Sequence, residues 1–462
     1  MKLSVDKIQN VYFLGIGGIG MSALARYFHF KGKKVAGYDR TASDLTRELE
    51  KEGIQIHYDE NLNAIPADFS KENTLVVLTP AVPGEHSELI YFQKEGYEVC
   101  KRSKILGLIT DPLKCIAISG THGKTSTSTM MAHILKNSGV DCAAFLGGIS
   151  KNYDTNLLLP QNNSEWAVAE ADEYDRSFLQ LHPTLALVTS IDADHLDIYG
   201  THEAIINSFR EFISQVREGG AFVVKKGLPL SANDNLSAQF YSYALEDDAD
   251  FTGFNVHHQN QAYHFDLKTP WGILKDLVLG YPGRMNVENA VGASALALIA
   301  GVEEEGLRNA LATFGGVKRR FEHHVKTENL VFIDDYAHHP MELKATITSV
   351  KDLYRGKKVT GIFQPHLFSR TKDFADEFAE SLSLLDELIL LDIYPAREEP
   401  IPGVTSKLIF DKVKCPEKTL CTKDELLGIL KDKKLEVLLT LGAGDIDRFV
   451  DPITDLMSKR LV

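Results

Sequence analysis

The strongest constraint on this chain is a short apolar run that breaks into a glycine-bounded loop and then into a helical pattern, and it occurs twice. At the second occurrence, Cys115-Ile-Ala-Ile118 leads into Ser-Gly120-Thr-His-Gly123-Lys124-Thr125. A helix is expected over 124–137, with Met130, Met131, Ile134 and Leu135 on one face and Gly139 as its stop. At the first, Val11-Tyr-Phe-Leu14 leads into Gly15-Ile-Gly17-Gly18-Ile19-Gly20 and a helix over 21–30. Strands that feed helices in this way need crossover connections, which implies parallel sheets covered by helices.

The same alternation runs through the rest of the chain. Strands are expected over 34–38, 75–79, 166–169, 185–189 and 221–224, and later over 331–333, 359–363, 387–391 and 437–441. Between about 240 and 280, Tyr, Phe and Thr alternate with polar residues, and antiparallel hairpins are expected there. At 462 residues the length suits roughly three domains of ~150 residues. The expected fold is α/β in three consecutive domains. A Rossmann-like N-terminal domain (1–109) precedes a P-loop mononucleotide-binding central domain with an antiparallel β addition (110–318). A Rossmann-like C-terminal domain (319–462) follows.

Composition narrows the function class. Hydrophobic residues make up 44% and charged residues 25%, and no run approaches the ~18 apolar residues of a membrane helix. The Met1–Lys7 start has no signal-peptide layout. Five cysteines at irregular positions form neither a disulfide framework nor a zinc pattern, so a cytoplasmic location is expected. A net charge of −14 argues against nucleic acid as partner but leaves anionic small molecules open.

The first loop satisfies G-x-G-x-x-G between strand and helix, with Asp39 at the end of the next strand. Glycines admit a diphosphate, the helix N-terminus supplies N–H groups, and an acidic residue there can bond a ribose hydroxyl. Both NAD and a UDP-sugar offer a diphosphate on a ribose, and the pattern does not separate them. The second loop ends in the Gly-Lys-Thr of a P-loop, with two residues rather than four between its glycines. Lys124 would reach the β/γ-phosphates of ATP and Thr125 would ligate Mg²⁺. Lys124 reads as an exposed loop residue, whose replacement would cost function rather than fold. Two acidic stretches at strand ends, Glu170-Ala-Asp172-Glu173-Tyr-Asp175 and Asp192-Ala-Asp194-His195-Leu-Asp197, would converge on the same sheet edge as metal ligands. Paired histidines elsewhere lack zinc spacing, and no nucleophile motif occurs, so the chain would activate its substrate with ATP rather than form a covalent enzyme intermediate.

These motifs, with GRMNVENA (283–290), KRRFE (318–322), DDYAHHP (334–340), QPHLFSR (364–370) and LGAGD (441–445), resemble those of the Mur ligases of peptidoglycan synthesis, in order along nearly the whole chain. The resemblance is greatest to the branch that joins L-alanine to UDP-N-acetylmuramate; separately, a monomer or homodimer is expected. The resemblance implies that Gly15, Gly17, Gly18, Ile19, Gly20, Asp39, Thr79 and His122 hold the UDP-sugar. Gly120, Thr121, His122, Gly123, Lys124, Thr125, Ser126, Asn289, Arg320 and Asp335 would hold ATP, and Thr125, Glu170 and His195 would hold Mg²⁺. Tyr336, His338 and Arg370 would face the amino acid, with Lys124, His195, His338 and Arg370 carrying catalysis.

The chain departs from the family in places. Met285 replaces a common histidine near the adenine, and a thioether packs on a purine but donates no such hydrogen bond. Leu367 stands where some relatives have a second arginine, which leaves the carboxylate anchor to Arg370 or another cation. Residues 201–215 contain no lysine, so the carbamoylated lysine of several relatives has no counterpart. A peptide-recycling ligase, an NAD(P)-dependent oxidoreductase and a nonenzymatic nucleotide switch are the competing readings.

Overall fold

The computed structural model describes residues 8–162, 164–194, 196–259, 262–396 and 398–460. The Met1–Lys7 stretch and His195 lie outside the described residues. Each of the three sequence blocks builds its own sheet.

The first sheet contains β1 (Asn10–Leu14), β2 (Lys34–Tyr38), β3 (Gln55–His57), β4 (Thr74–Leu78) and β5 (Glu98–Lys101), all parallel in the order β3-β2-β1-β4-β5. The order reverses between β1 and β4. Ligands of open parallel sheets sit at such a reversal, beyond the C-terminal strand ends.

The second sheet has ten strands: β6 (Lys114–Ser119), β7 (Cys142–Ser150), β8 (Thr155–Leu158), β9 (Trp166–Glu170), β10 (Leu185–Val188), β11 (Ala221–Lys225), β12 (Gln239–Leu245), β13 (Phe251–Gln259), β14 (Ala262–Thr269) and β15 (Gly272–Leu279). β6 lies between β9 and β10, parallel to both. β14 and β15 form the antiparallel hairpin expected in the 240–280 region. β12 does not: it adds to β11 in parallel, and β13 adds to β12 in parallel, so the sheet is extended before the hairpin begins. Alternating burial looks the same in sequence whichever way a strand runs.

The helix Lys124–Asn137 has the expected bounds but not the expected single buried face, since every residue from Thr125 to Leu135 is buried. Its hydroxyl residues look polar in sequence but turn their oxygens inward. Thr127 donates to the Gly123 carbonyl and Ser128 to that of Thr125.

The first two sheets belong to one compact unit. One continuous apolar core explains this, as it runs from Val11, Phe13, Leu24 and Phe28 through Phe145 to Phe178, Phe209 and Phe212. Asn156 adds a polar tie by donating to the Ile19 carbonyl at 2.6 Å, and Arg26 in turn donates to Asn156. A second unit contains the third sheet, β16 (Glu322–Lys326), β17 (Val331–Asp335), β18 (Val359–Phe363), β19 (Glu387–Leu390), β20 (Glu417–Leu420) and β21 (Val437–Leu441). Its order is β16-β17-β21-β18-β19-β20, with only the edge strand β16 antiparallel. Among the described residues, no helix is long and apolar enough to cross a membrane.

Candidate active site

The phosphate loop is shaped by close approach of a neighbouring strand end. Gly120 has φ +135°, and a Cβ there would lie 2.1 Å from Thr189 Oγ1. Thr189 and Ser190, just beyond β10, pin the loop: Thr189 Oγ1 donates to the His122 carbonyl at 2.5 Å, and His122 N–H donates to Ser190 Oγ at 2.8 Å. Gly123, at φ +83°, caps the helix Lys124–Asn137 without a side-chain acceptor, which leaves first-turn amides facing outward. A Cβ on Gly123 would lie 2.9 Å from Asn289 Oδ1, so Asn289 stands beside the loop.

Lys124 is not exposed, contrary to the sequence expectation. Its ammonium donates to Glu173 Oε2 and to the Gly120 carbonyl, both at 2.7 Å, and the Glu173 side chain is only 2% exposed. Burial alone would lower the pKa of Lys124, but Glu173, Asp172 and Glu170 more than offset it and hold the ammonium charged. Glu173 lies within the first acidic stretch, but nothing in the spacing marks it as the carboxylate that turns inward. Left-handed backbone at Asp175 and Arg176 (φ 52° and 53°) reverses the chain just after it. Thr125 Oγ1 donates to Glu170 Oε1 at 3.2 Å, and Ser128 Oγ reaches Glu170 Oε2 at 3.4 Å. Ser126 is buried beside them. Thr121 Oγ1 meets Ser190 Oγ at 2.9 Å, and His122 lies 3.4 Å from Asp192. Hydroxyl and carboxylate oxygens suit a hard cation. Among the described residues, no group of three His, Cys, Asp or Glu converges into a metal cluster.

The first glycine loop shares this unit. A Cβ on Gly15 (φ +84°) would meet Thr79 Cγ2 at 2.6 Å, and one on Gly17 would meet Thr46 Cγ2 at 2.6 Å. Asp39 binds the loop itself: Gly17 N–H donates to its Oδ2 at 2.7 Å, and Thr41 N–H to its Oδ1. Gly18 has no comparably close neighbour and precedes Ile19, the first helical residue. A cavity of about 220 Å³ opens between the first glycine loop and the acidic strand end at Glu170. Gly18, Ile19, Gly20 and Thr79 line one side; Gly147, Glu170 and Asp172 line the other. Sequence reasoning missed Gly147, whose missing side chain leaves space for Glu170: a Cβ there would lie 2.3 Å from the carboxylate.

In the second unit, the four motifs of the last block meet at the C-terminal edge of its sheet. The buried Asp334 accepts from Arg319 Nε at 3.1 Å and from Thr440 Oγ1 at 2.6 Å, while Arg319 Nη2 donates to the Gly442 carbonyl at 2.8 Å. Asp335 accepts N–H bonds from Phe321 and Ala337 at 2.7 and 2.8 Å. Burial pushes Asp335 up to about 6, with Arg320 pulling the other way. Tyr336 has the Arg319 and Arg320 guanidiniums 5.1 and 4.9 Å from its ring centre. His338 Nδ1 donates to the Tyr336 carbonyl at 3.0 Å, which fixes the tautomer and leaves Nε2 as an acceptor. Burial lowers the pKa of His338 to about 4, despite Glu342 nearby. Arg370 is buried and donates to His366 Nδ1 at 3.5 Å. Leu367 takes an unusual φ of 72° in front of the helix Phe368–Asp373. Arg319 lies within KRRFE, but its buried pairing with Asp334, fifteen residues on, has no local signal in the sequence.

Comparison with known proteins gives three family-model matches: Mur ligase family, catalytic domain (residues 10–112), Mur ligase middle domain (118–297) and Mur ligase, glutamate ligase domain (319–444). The chain is 54% identical over 460 residues to a UDP-N-acetylmuramate–L-alanine ligase of Parabacteroides distasonis, covering 99% of each chain. Among solved structures it is similar to the UDP-N-acetylmuramate–alanine ligase of Thermotoga maritima, with TM-score 0.82, 27% identity, and 96% and 99% of the two chains covered. It also shares the fold of a murein peptide ligase from Psychrobacter arcticus, with TM-score 0.71, 21% identity, and 97% and 98% covered.

Proposed function

The chain belongs to the Mur ligase family, and from that premise we propose that it joins L-alanine to the muramyl carboxylate of UDP-N-acetylmuramate with cleavage of ATP to ADP, through an acyl phosphate. The observation that carries this reading is the cavity joining the first glycine loop to Glu170, beside the phosphate loop. It gives a nucleotide-linked acid a place from which its carboxylate can meet a γ-phosphate. The 54% identity to an L-alanine ligase over nearly the whole chain supports the choice of substrates over a peptide-recycling role.

A free carboxylate is a poor acyl donor because its leaving group would be oxide. Transfer of the γ-phosphoryl group to it creates a good leaving group, and attack by the alanine amine then expels phosphate. Lys124 and the first-turn amides of Lys124–Asn137 bind and orient the phosphates and stabilise the charge that develops on them. Asn289, which lies against Gly123, and Asp335 and Arg320 are the further residues that the family resemblance assigns to ATP. Thr125, Glu170 and His195 would hold Mg²⁺, which when bound neutralises phosphate charge. Tyr336, Arg370 and the neutral His338, whose Nε2 can accept from an amine, serve the amino acid. On this reading residues 1–109, 110–318 and 319–462 serve the UDP-sugar, ATP and the amino acid in turn.

The test is ADP release with ATP, Mg²⁺ and UDP-N-acetylmuramate against a panel of amino acids and one tripeptide. L-Alanine should give the highest rate. Release that depends on no amine would overturn the ligase reading, and preference for the tripeptide would replace it with the recycling role.

A further inference from the structure

Arg102 is the first residue of the helix Arg102–Thr110, and no motif of the sequence drew attention to it. Its guanidinium lies against the first turn of Ile19–Phe30, where a Cβ on Gly20 would lie 2.7 Å from Nη1 and 3.2 Å from Cδ. Thus the last glycine of G-x-G-x-x-G makes room for an arginine. The helix start it touches has Gly18 as its cap, with no side-chain acceptor, so two positive ends are placed side by side. The described partner of Arg102 is Asp172, with Nη2 donating to Oδ2 at 3.4 Å, a long bond for a charged pair. The adjacent Lys101 is engaged elsewhere, at 2.7 Å from Asp175. Arg102, Gly18, Gly20 and Thr79 all line the cavity described above.

We propose that Arg102 is the clamp for the substrate's diphosphate, admitted by Gly20 and steered by Asp172. The assignment rests on the UDP-sugar reading of the first glycine loop. A guanidinium has five N–H donors, and one bond to Asp172 leaves an edge free for two parallel bonds to phosphate oxygens. The diphosphate then satisfies both the helix start and the arginine. Because Asp172 lies two residues after Glu170, the clamp also ties the bound diphosphate to the acidic strand end on the far side of the cavity.

The experiment titrates the full chain with UDP and with uridine, for the wild type, R102Q, R102K and G20A. Wild type should prefer UDP strongly over uridine. R102Q should lose about 10- to 100-fold in UDP affinity while its affinity for uridine and for ATP stays put. R102K should fall between, since it keeps the charge but not the fork. G20A, which pushes the guanidinium off its seat, should lose UDP affinity in the same direction and add little on an R102Q background. A residue that only supported the fold would weaken UDP and uridine alike. If wild type does not distinguish UDP from uridine, the UDP-sugar reading itself falls. If wild type does and R102Q keeps the same preference, only the clamp falls.

Discussion

Replacing Glu173 with Gln tests whether the phosphate-loop lysine is held in place before nucleotide arrives. The change keeps the shape and one acceptor but removes the charge 2.7 Å from the Lys124 ammonium. Breaking a buried pair by removing one partner costs about 3–5 kcal/mol. Here the lysine keeps its bond to the Gly120 carbonyl and the attraction of Asp172 and Glu170, so about 2–3 kcal/mol is expected. The unit that contains it has about 300 residues. At roughly 2.1 cal/mol/K of unfolding entropy per residue, each kcal/mol moves Tm by about 1.6 °C. E173Q should therefore melt about 3–5 °C below wild type by differential scanning fluorimetry. Saturating Mg²⁺ and a nonhydrolysable ATP analogue should narrow that gap, because phosphate oxygens take over the role of the missing carboxylate. A Tm within 1 °C of wild type, or a gap that nucleotide leaves unchanged, would refute the reasoning.

Lys124→Ala should abolish ADP release and also lower Tm at neutral pH, because it leaves Glu173 buried without its cation; since burial already raises the pKa of Glu173, the deficit should shrink as pH falls from 8 to 5 and the acid takes up a proton. Asp335 and His338 act in opposite directions on acid stability. The His338 pKa, depressed to about 4, makes the second unit lose stability as pH falls from the ordinary ~6.5 to 4, whereas Asp335, raised to about 6, makes it gain stability as pH falls through 6 towards ~3.9. D335N should therefore melt with a steeper acid dependence than wild type, measured as Tm between pH 7 and 4.5, and H338Q with a shallower or reversed one. Gly120→Ala forces a Cβ to within 2.1 Å of Thr189 Oγ1 at φ +135°, and should cost about 1–3 kcal/mol while abolishing ATP binding in a calorimetric titration.

What could be read from the sequence was local. Lys124–Asn137 follows its glycine stop signals, and the strands Val359–Phe363 and Val437–Leu441 coincide with their apolar runs. The shared sheet edge brings the acidic stretch to the P-loop, and the family resemblance picks Glu170 from it as the partner of Thr125; the two lie 3.2 Å apart. What escaped depends on partners distant in sequence or on backbone reversals. The Glu170–Asp175 stretch offers four carboxylates of equal standing, and only the left-handed Asp175–Arg176 turn that follows shows the conformation in which Glu173 is buried. The pairing of Arg319 with Asp334 and Gly442 needs three segments to be folded first. The parallel addition of β12 and β13 leaves no mark in an alternating pattern, because alternation reports which face is buried and not which way the chain runs.

The first glycine loop shows why a motif can specify a backbone without specifying its ligand. Each restricted glycine answers to a part of this chain. Gly15 must leave space for Thr79, Gly17 for Thr46 and for Asp39, which takes its N–H, and Gly20 for Arg102. The spacing G-x-G-x-x-G therefore records how closely β1 and the helix after it are approached by their neighbours. Any diphosphate on a ribose can use the resulting cradle, so NAD and UDP-sugar readings are equal at the level of the motif. The difference lies across the cavity. A dehydrogenase needs a nicotinamide pocket there, whereas this chain lines that side with Gly147, with Glu170 at the end of the strand beside β6, and with Asp172 two residues on. On the proposed reading, carboxylates at that position serve a cation shared with ATP. On that reading the second sheet separates the two ligands, even though the first sheet carries the more recognisable motif.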